Sequence, residues 1–532
     1  MTKKYYEYQT DIDKSALLKG LVKHGFFNHK MPSFLSSDSF FEFISKSANI
    51  KKIAFSNRVS YEWIRFESNR YNNLPRTLGI PTPFSYYWLC KEMTDNWSEI
   101  TSYFEKITKD QTFKHSRIHV RRLKNTDSIF EMNYDVQRKS GDDNPKNIID
   151  AQYIVITDIT KFFDSIYSHS VPWALMGKDA AKIKRRFSCY ENNIDKRLMN
   201  MRCGETHGIL TGPVSSNIIS EILLCNVDSI LSKKGYRFVR YIDDYRCYVN
   251  SADEGNKFID DLRRALSLFD LSINNSKTQI ISITRYNNDS FPDDIASIAN
   301  VLSYQEYSKC ETYPEGVVSY LQLNSFFNLL FGVFNKYGED GRVLLYAFKV
   351  LKRKNLSLKA SEFYVNKVMN LAIKYPYLLS TIDNEVFSKF GVTNNISLFC
   401  KTLYESGCKE SNYEKMIYSL YFAIKSNVDF LENKDSLFNN AKNYNDCIFK
   451  LIAYKYSETF SIGVYFEKYK ELARDLYKDD YEREKNWIFV YELLDETELT
   501  NEWAILKNNK VTFINDKKLK PHIHFRTMFY PK

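Results

Sequence analysis

The spacing of apolar and polar residues changes character several times along this chain. Residues 153–158, YIVITD, run almost wholly apolar and end on an acid, which predicts a short strand buried on both faces. After Pro213, the residues Ile218, Ile219, Ile222, Leu223, Val227, Ile230 and Leu231 recur at helical spacing, and Gly235 supplies a stop. That pattern predicts a helix. YRFVRYIDDYRCYV at 236–249 sets two aspartates amid Tyr, Phe, Val and Ile, the signature of a hairpin whose turn presents Asp243 and Asp244. A helix is expected at 253–269 and a further strand region within LSINNSKTQIISI (271–283).

Ahead of these elements, residues 1–110 mix helical patterns with NNLPRTLGIPTP (72–83), where prolines 75, 81 and 83 predict a loop. Residues 111–145 read as a charged hairpin or loop. From about 315 the chain becomes a series of helix-length amphipathic segments, including LQLNSFFNLLFGVFNKY, RVLLYAFKVLKRK and NYEKMIYSLYFAIKS. They predict an all-helical region, built either as stacked HEAT-like helix pairs or as a compact bundle. The divisions expected are 1–150, 151–300 and 301–532.

Composition narrows the class. At 532 residues the chain has room for two to four domains. No run is long enough to span a bilayer and the start lacks the apolar core of a secretory signal, so a cytoplasmic protein without a membrane partner is expected. Nine scattered cysteines without a CxxC suit a reducing compartment and argue against structural zinc. A net charge of +10 points toward a polyanionic partner.

Asp158 at a strand end and Asp243 in a neighbouring turn can converge on a pair of divalent ions. Such ions would activate a hydroxyl and neutralise a triphosphate. Magnesium, with manganese as its substitute, suits carboxylate and phosphate oxygens. The plainer alternative is that Asp158 caps a turn and the Asp243–Asp244 pair shapes a hairpin loop. Adjacent like charges flanked by Tyr and Ile are costly unless a cation or hydrogen bonds offset them, which favours the metal reading.

DITKFFDSI (158–166), GILTGPVSSNIISEILL (208–224), FVRYIDDYRCYV (238–249) and LSINNSKTQI (271–280) resemble, in order, the palm motifs of reverse transcriptases. The resemblance covers about residues 60–290. It implies an α+β fingers–palm region of the right-hand polymerase fold, followed by the helical region. It also implies that Asp158, Asp243 and Asp244 are catalytic metal ligands, joined by the Ile159 carbonyl. Phe163 matches the steric gate beneath the incoming sugar, although one of Phe162 and Phe163 must also pack in the core. Gly208, Thr211, Gly212 and Ser216 match the loop that opens the following helix, with Thr211 where reverse transcriptases usually carry Gln. Lys277 matches the lysine that assists pyrophosphate departure. Arg76, Arg117, Arg121 and Arg122 are candidate triphosphate or backbone contacts, and Lys178, Lys182, Lys184, Arg185 and Arg186 a candidate phosphate-tracking face.

The T-G-P-x-x-S loop, the LGIPTP stretch and the helical C-terminal region resemble the AbiK-like, abortive-infection (phage-defence) branch of bacterial reverse transcriptases. Members of that branch carry HEAT-like helices in place of a thumb and form homo-oligomers. Some make single-stranded DNA from dNTPs without a template, primed on a tyrosine to which the product stays attached. Here Tyr5, Tyr6 and Tyr8 are candidate primers. The alternatives are RNA-templated synthesis on a partner non-coding RNA, and a non-catalytic RNA-binding or protein-interaction module.

Overall fold

The computed structural model describes residues 3–46, 60–71, 74–112, 114–124, 126–131, 149–184, 189–285, 291–303 and 316–521. Two strands, β1 (Trp63–Ser68) and β2 (Arg76–Pro81), form an antiparallel hairpin with Trp63 opposite Pro81 and Ser68 opposite Arg76. The stretch expected to be a loop is therefore largely strand. Of its prolines, Pro75 precedes β2 and Pro81 ends it, where a missing N–H costs the ladder little, and Pro83 opens the next helix. Within β2, Leu78 and Ile80 point into the core.

The central sheet is antiparallel, made of β3 (Tyr153–Asp158), β4 (Arg237–Tyr241), β5 (Asp244–Val249) and β6 (Gln279–Ser282) in the order β4-β5-β3-β6. β3 lies between two partners, which is why it reads as an unbroken apolar run. Its Ile154 and Val155 are fully buried. The outer edge of β4 meets the segment around Ser116, which bridges Arg240. The predicted helices are present as Ser215–Lys233 and Ala252–Ser267. The second lies close on the sheet at Gly255, where a Cβ would come within 3.1 Å of Ile280 and 3.2 Å of Val155. Of the strand region expected at 271–283, only β6 is strand, and a 3-10 turn at Asn275–Lys277 precedes it.

Beyond residue 316 the chain is largely helical. Helices Tyr320–Lys336, Gly341–Lys352, Leu358–Lys374, Ile396–Glu410, Tyr413–Ser426, Cys447–Phe460 and Phe466–Lys478 succeed one another. Ser319, Asp340, Ser357, Asn412 and Asp446 cap five of them, each accepting a first-turn N–H. A π-helical turn at Ile382–Phe387 interrupts the series. It brings buried Asp383 to Lys425 at 2.5 Å and to Ser33 at 2.8 Å. Among the described residues no helix is long and apolar enough to cross a membrane.

The helical region is fastened to the N-terminal one. Leu35 bridges Ile514, and Phe513 is buried among Phe26, Phe40, Trp487 and Tyr491. Past β1, Asn69 donates from its backbone and its side chain to Glu414, both at 2.6 Å. Burial pushes the Glu414 carboxyl up to about 8 in spite of those bonds. Because its ordinary value is 4.5, folding takes up a proton between these limits, and Glu414 costs stability as pH rises through that window. Glu414→Gln keeps an acceptor for Asn69 and removes the titration. Urea unfolding should show the variant gaining on the parent by on the order of 2 kcal/mol between pH 6 and pH 9. A stability difference independent of pH would refute that assignment.

Candidate active site

The register of β4 on β5 pairs Tyr241 with Asp244, which leaves Ile242 and Asp243 as the whole turn. A two-residue hairpin of this kind needs positive φ at its first central position, where Gly is usual. Ile242 supplies it at φ +59°. For a β-branched residue this stores roughly 1–3 kcal/mol of strain. The turn is held from beneath by Arg240, which is fully buried and donates to the Ile242 carbonyl at 2.9 Å. Its guanidinium also meets Asp228 at 2.7–3.1 Å and Glu221 at 2.7 Å, both from helix Ser215–Lys233. Tyr245 adds a hydroxyl to Asp228 at 3.2 Å. Burial works against the Arg240 charge, but Asp228 and Glu221 outweigh it and hold the guanidinium well above its ordinary value. Sequence reading missed this cage, although its signal was visible: Glu221 and Asp228 lie two turns apart on the apolar face of a helix, and Arg240 interrupts a strand.

Asp158 stands directly opposite Asp244 in the β3–β5 ladder. It is 7% exposed, and its buried Oδ1 accepts no hydrogen bond. Oδ2 is paired with the Lys277 ammonium, which the bond to Asp158 raises above its usual value. The lysine is positioned by the 3-10 turn, where Asn274 N–H donates to the Asp158 carbonyl at 2.8 Å and the hydroxyls of Thr157 and Thr278 meet at 2.7 Å. Burial, then Asp244, push the Asp243 carboxyl up to about 7. The Asp244 carboxyl is raised by loss of hydration and then by Asp158. Arg76 from β2 pulls Asp243 down, and Lys277, Arg246 and Arg342 do the same for Asp244, yet both remain raised.

An excess of negative charge with an unsatisfied buried oxygen is what a hard divalent cation would offset. The donor chemistry fits, but the cage is not closed. Among the described residues no three His, Cys, Asp or Glu side chains are gathered into a ready metal cluster. Ile159 forms an isolated bridge with Ile273, flanked by bonds from Thr160 to Ser272 and from Asn274 to Asp158. Its own amide and carbonyl point away from that bridge.

The chain turns sharply after β3 through Lys161 at φ +41°. Phe162 enters the core, while Phe163 remains half-buried with its ring 5.2 Å from that of Phe162. The two aromatics thus divide the packing and the exposed position between them. Ile209 N–H donates to the Phe163 carbonyl at 2.8 Å and Gly208 N–H to Ile166 at 2.7 Å, so the glycine loop lies along this segment. Gly208 has φ +83°, and a Cβ there would strike the Arg202 guanidinium. At Gly212, φ +134°, a Cβ would lie 3.4 Å from the Gly79 carbonyl oxygen of β2, and Gly79 N–H donates to the Thr211 carbonyl at 2.8 Å. Ser216 is buried, and its hydroxyl latches the loop by donating to the Leu210 carbonyl at 2.6 Å.

The remaining sequence candidates lie elsewhere. Arg117 pairs through its backbone with Arg240 at the far edge of β4, while half-buried Arg121 bonds the His119 carbonyl and Arg122 is exposed on the same segment. Tyr5 is 3% exposed on helix Tyr5–Thr10, packed against Phe104 and His119, and burial pushes its hydroxyl well up. Tyr6 and Tyr8 are half-buried. Arg185 and Arg186 lie outside the described residues. Sequence reading also missed Arg342, which the helical region contributes. Asp340 grips it at 2.6–3.1 Å between the rings of Tyr71 and Phe291, and its charge reaches Asp244.

Residues 98–313 match the family model described as reverse transcriptase (RNA-dependent DNA polymerase). The chain therefore carries a domain of the RNA-directed DNA polymerase family. No curated protein matches it. Among solved structures it is similar to apo telomerase from Candida tropicalis, at 10% identity and a TM-score of 0.31 over 75% of this chain and 72% of that one. It is similar also to telomerase from Candida albicans in complex with a TWJ fragment of telomeric RNA, at 11% identity and a TM-score of 0.29 over 72% and 71%.

Proposed function

We propose that this protein copies RNA into DNA, extending a strand with deoxynucleoside triphosphates. The observation that carries the reading is the crowding of Asp158, Asp243 and Asp244 at one end of the central sheet, within the stretch that matches the polymerase family. Asp158 through its unbonded Oδ1, Asp243, Asp244 and the Ile159 carbonyl would hold two magnesium ions, with manganese as substitute. Bound there, the ions would lower the pKa of the attacking hydroxyl and neutralise the triphosphate. Lys277, kept charged by Asp158, would donate a proton to the departing pyrophosphate. Phe163 walls the space beneath the sugar, and Gly208 and Gly212 let the loop beside it close against Arg202 and the Gly79 backbone.

A second reading is template-independent synthesis primed on a tyrosine. Thr211 favours it, standing where templated enzymes usually place Gln. With Tyr5 shut in the core, Tyr6 and Tyr8 are the N-terminal candidates. The T-G-P loop supports a role in abortive infection, with homo-oligomers as the working form.

Incorporation of labelled dNTPs by nuclease-treated protein, with RNA template, with DNA template and with none, decides between them. Product confined to the RNA arm and abolished by RNase is expected. Product in the template-free arm, with a tyrosine adduct by intact mass, would transfer the conclusion to the second reading. Absence of product in every arm refutes both. In the same assay Phe163→Ala should raise the use of ribonucleotides relative to deoxynucleotides by about 10- to 100-fold.

A further inference from the structure

Beside the cleft the structure gathers rings that neither the core nor the carboxylate site uses. Tyr167 follows Phe163 by four residues and bridges His207, the neighbour of Gly208. The Tyr167 and His207 rings stack at 4.8 Å and 27°. Tyr167 also meets two rings edge-on, His169 at 4.9 Å and Trp173 at 5.5 Å. His169 is fixed in place by buried Asp195 at 2.5 Å, and Lys178 lies 4.2 Å over the Trp173 ring. His207 and Lys178 are exposed, and Tyr167, His169 and Trp173 are half-buried. Lys182 and Lys184 continue the charge outward.

We infer that Tyr167, His169, Trp173 and His207 form a stacking platform for an unpaired nucleic-acid strand at the cleft, with Lys178 on its phosphates. The inference rests on the polymerase reading and names the surface that guides its strand. His207 and the lysine rim open to solvent, unlike His115 and His119, which the core buries. Ring faces bordered by ammonium groups are what strand-binding surfaces combine, since every base offers a π-face and every nucleotide a charge. A duplex covers its base faces, so an unpaired strand is the occupant. Four residues separate Phe163 from Tyr167, a reach of at most about 14 Å. A strand held at the glycine loop therefore meets the platform within about four stacked nucleotides.

The test is fluorescence anisotropy of the full chain, without metal or dNTPs, on fluorescein-labelled oligo(dT), oligo(U) and an abasic oligonucleotide of equal length. His207→Ala, exposed and thus compatible with folding, and Trp173→Leu, which keeps bulk, should each weaken binding of the base-bearing strands about 5- to 50-fold. Binding of the abasic strand should be unchanged. Lys178→Ala should weaken all three and lower the salt slope of binding by about 0.7. A loss confined to oligo(dT) or to oligo(U) assigns the platform to that strand, and equal losses assign it to any unpaired strand. Equal losses on base-bearing and abasic strands, or unaltered affinity in both ring variants, overturn the inference. If the protein incorporates no nucleotide but the ring variants lose base-dependent binding, the platform stands and the polymerase reading falls. If it incorporates nucleotides while the variants bind as the parent does, the platform alone falls.

Discussion

Asp243→Asn should abolish nucleotide incorporation, by at least about 10³-fold, while leaving the protein as stable as the parent or more so. The amide keeps the shape of the turn and removes the charge that the chemistry needs. Stability moves the other way because the native carboxyl is already disfavoured. Burial and Asp244 hold it up to about 7, so near neutrality the fold bears an ionised group it would rather keep protonated. Replacing it with a neutral isostere ends that repulsion, an instance of a reactive site costing stability. Single-nucleotide extension and thermal melting on the same preparation read both effects. Activity within tenfold of the parent would remove Asp243 from the chemistry, and a lowered melting temperature would contradict the electrostatic account.

Arg240→Met should destabilise the fold by about 3–5 kcal/mol, since it strands Asp228 and Glu221 in the core without their partner. The triple variant Arg240→Met, Asp228→Asn, Glu221→Gln should recover most of that loss, because an uncharged core no longer needs the cage. Turnover should not recover with it. Both variants lack the donor to the Ile242 carbonyl that keeps the strained turn aimed. Urea midpoints separate the two effects from steady-state rates taken well below the melting transition. Full activity in the stable triple variant would show that the cage serves stability alone.

The elements around the carboxylates were legible because each depends on a short window. β3 is continuous apolar chain, β4 and β5 flank two acids, and helix Ser215–Lys233 repeats its apolar face over several turns. β2 was missed because prolines at its boundaries were weighed as breakers within it. The sequence points to a convergence of Asp158 with Asp243, whereas the ladder sets Asp244 opposite Asp158, and no local pattern marks the Lys277 bridge that occupies one oxygen of Asp158. Arg342 and the Tyr167–His207 stack were invisible for a different reason. Each is made by segments far apart in the chain, and no local pattern marks an exposed Arg or His as belonging to a cleft. Glu221 and Asp228 went unread although both lie on the apolar face of their helix, and the fold buries them against a single guanidinium.

The clasp between residues 34–39 and 512–515 sets a timetable for synthesis. Asn28 donates to the Gly212 carbonyl at 3.3 Å and Gly25 accepts from Val214 at 2.9 Å, so the segment around residues 25–28 props the glycine loop. That segment leads directly into Phe34, Ser36 and Ser39, which bond Asn515, Phe513 and Thr512. At about 5–20 residues per second, a ribosome needs on the order of half a minute to a minute and a half to travel from one partner to the other. Throughout that interval the pocket of Phe26 and Phe40 lacks Phe513 and stays open to chaperones. The nascent chain thus carries its carboxylates long before the loop beside them is braced.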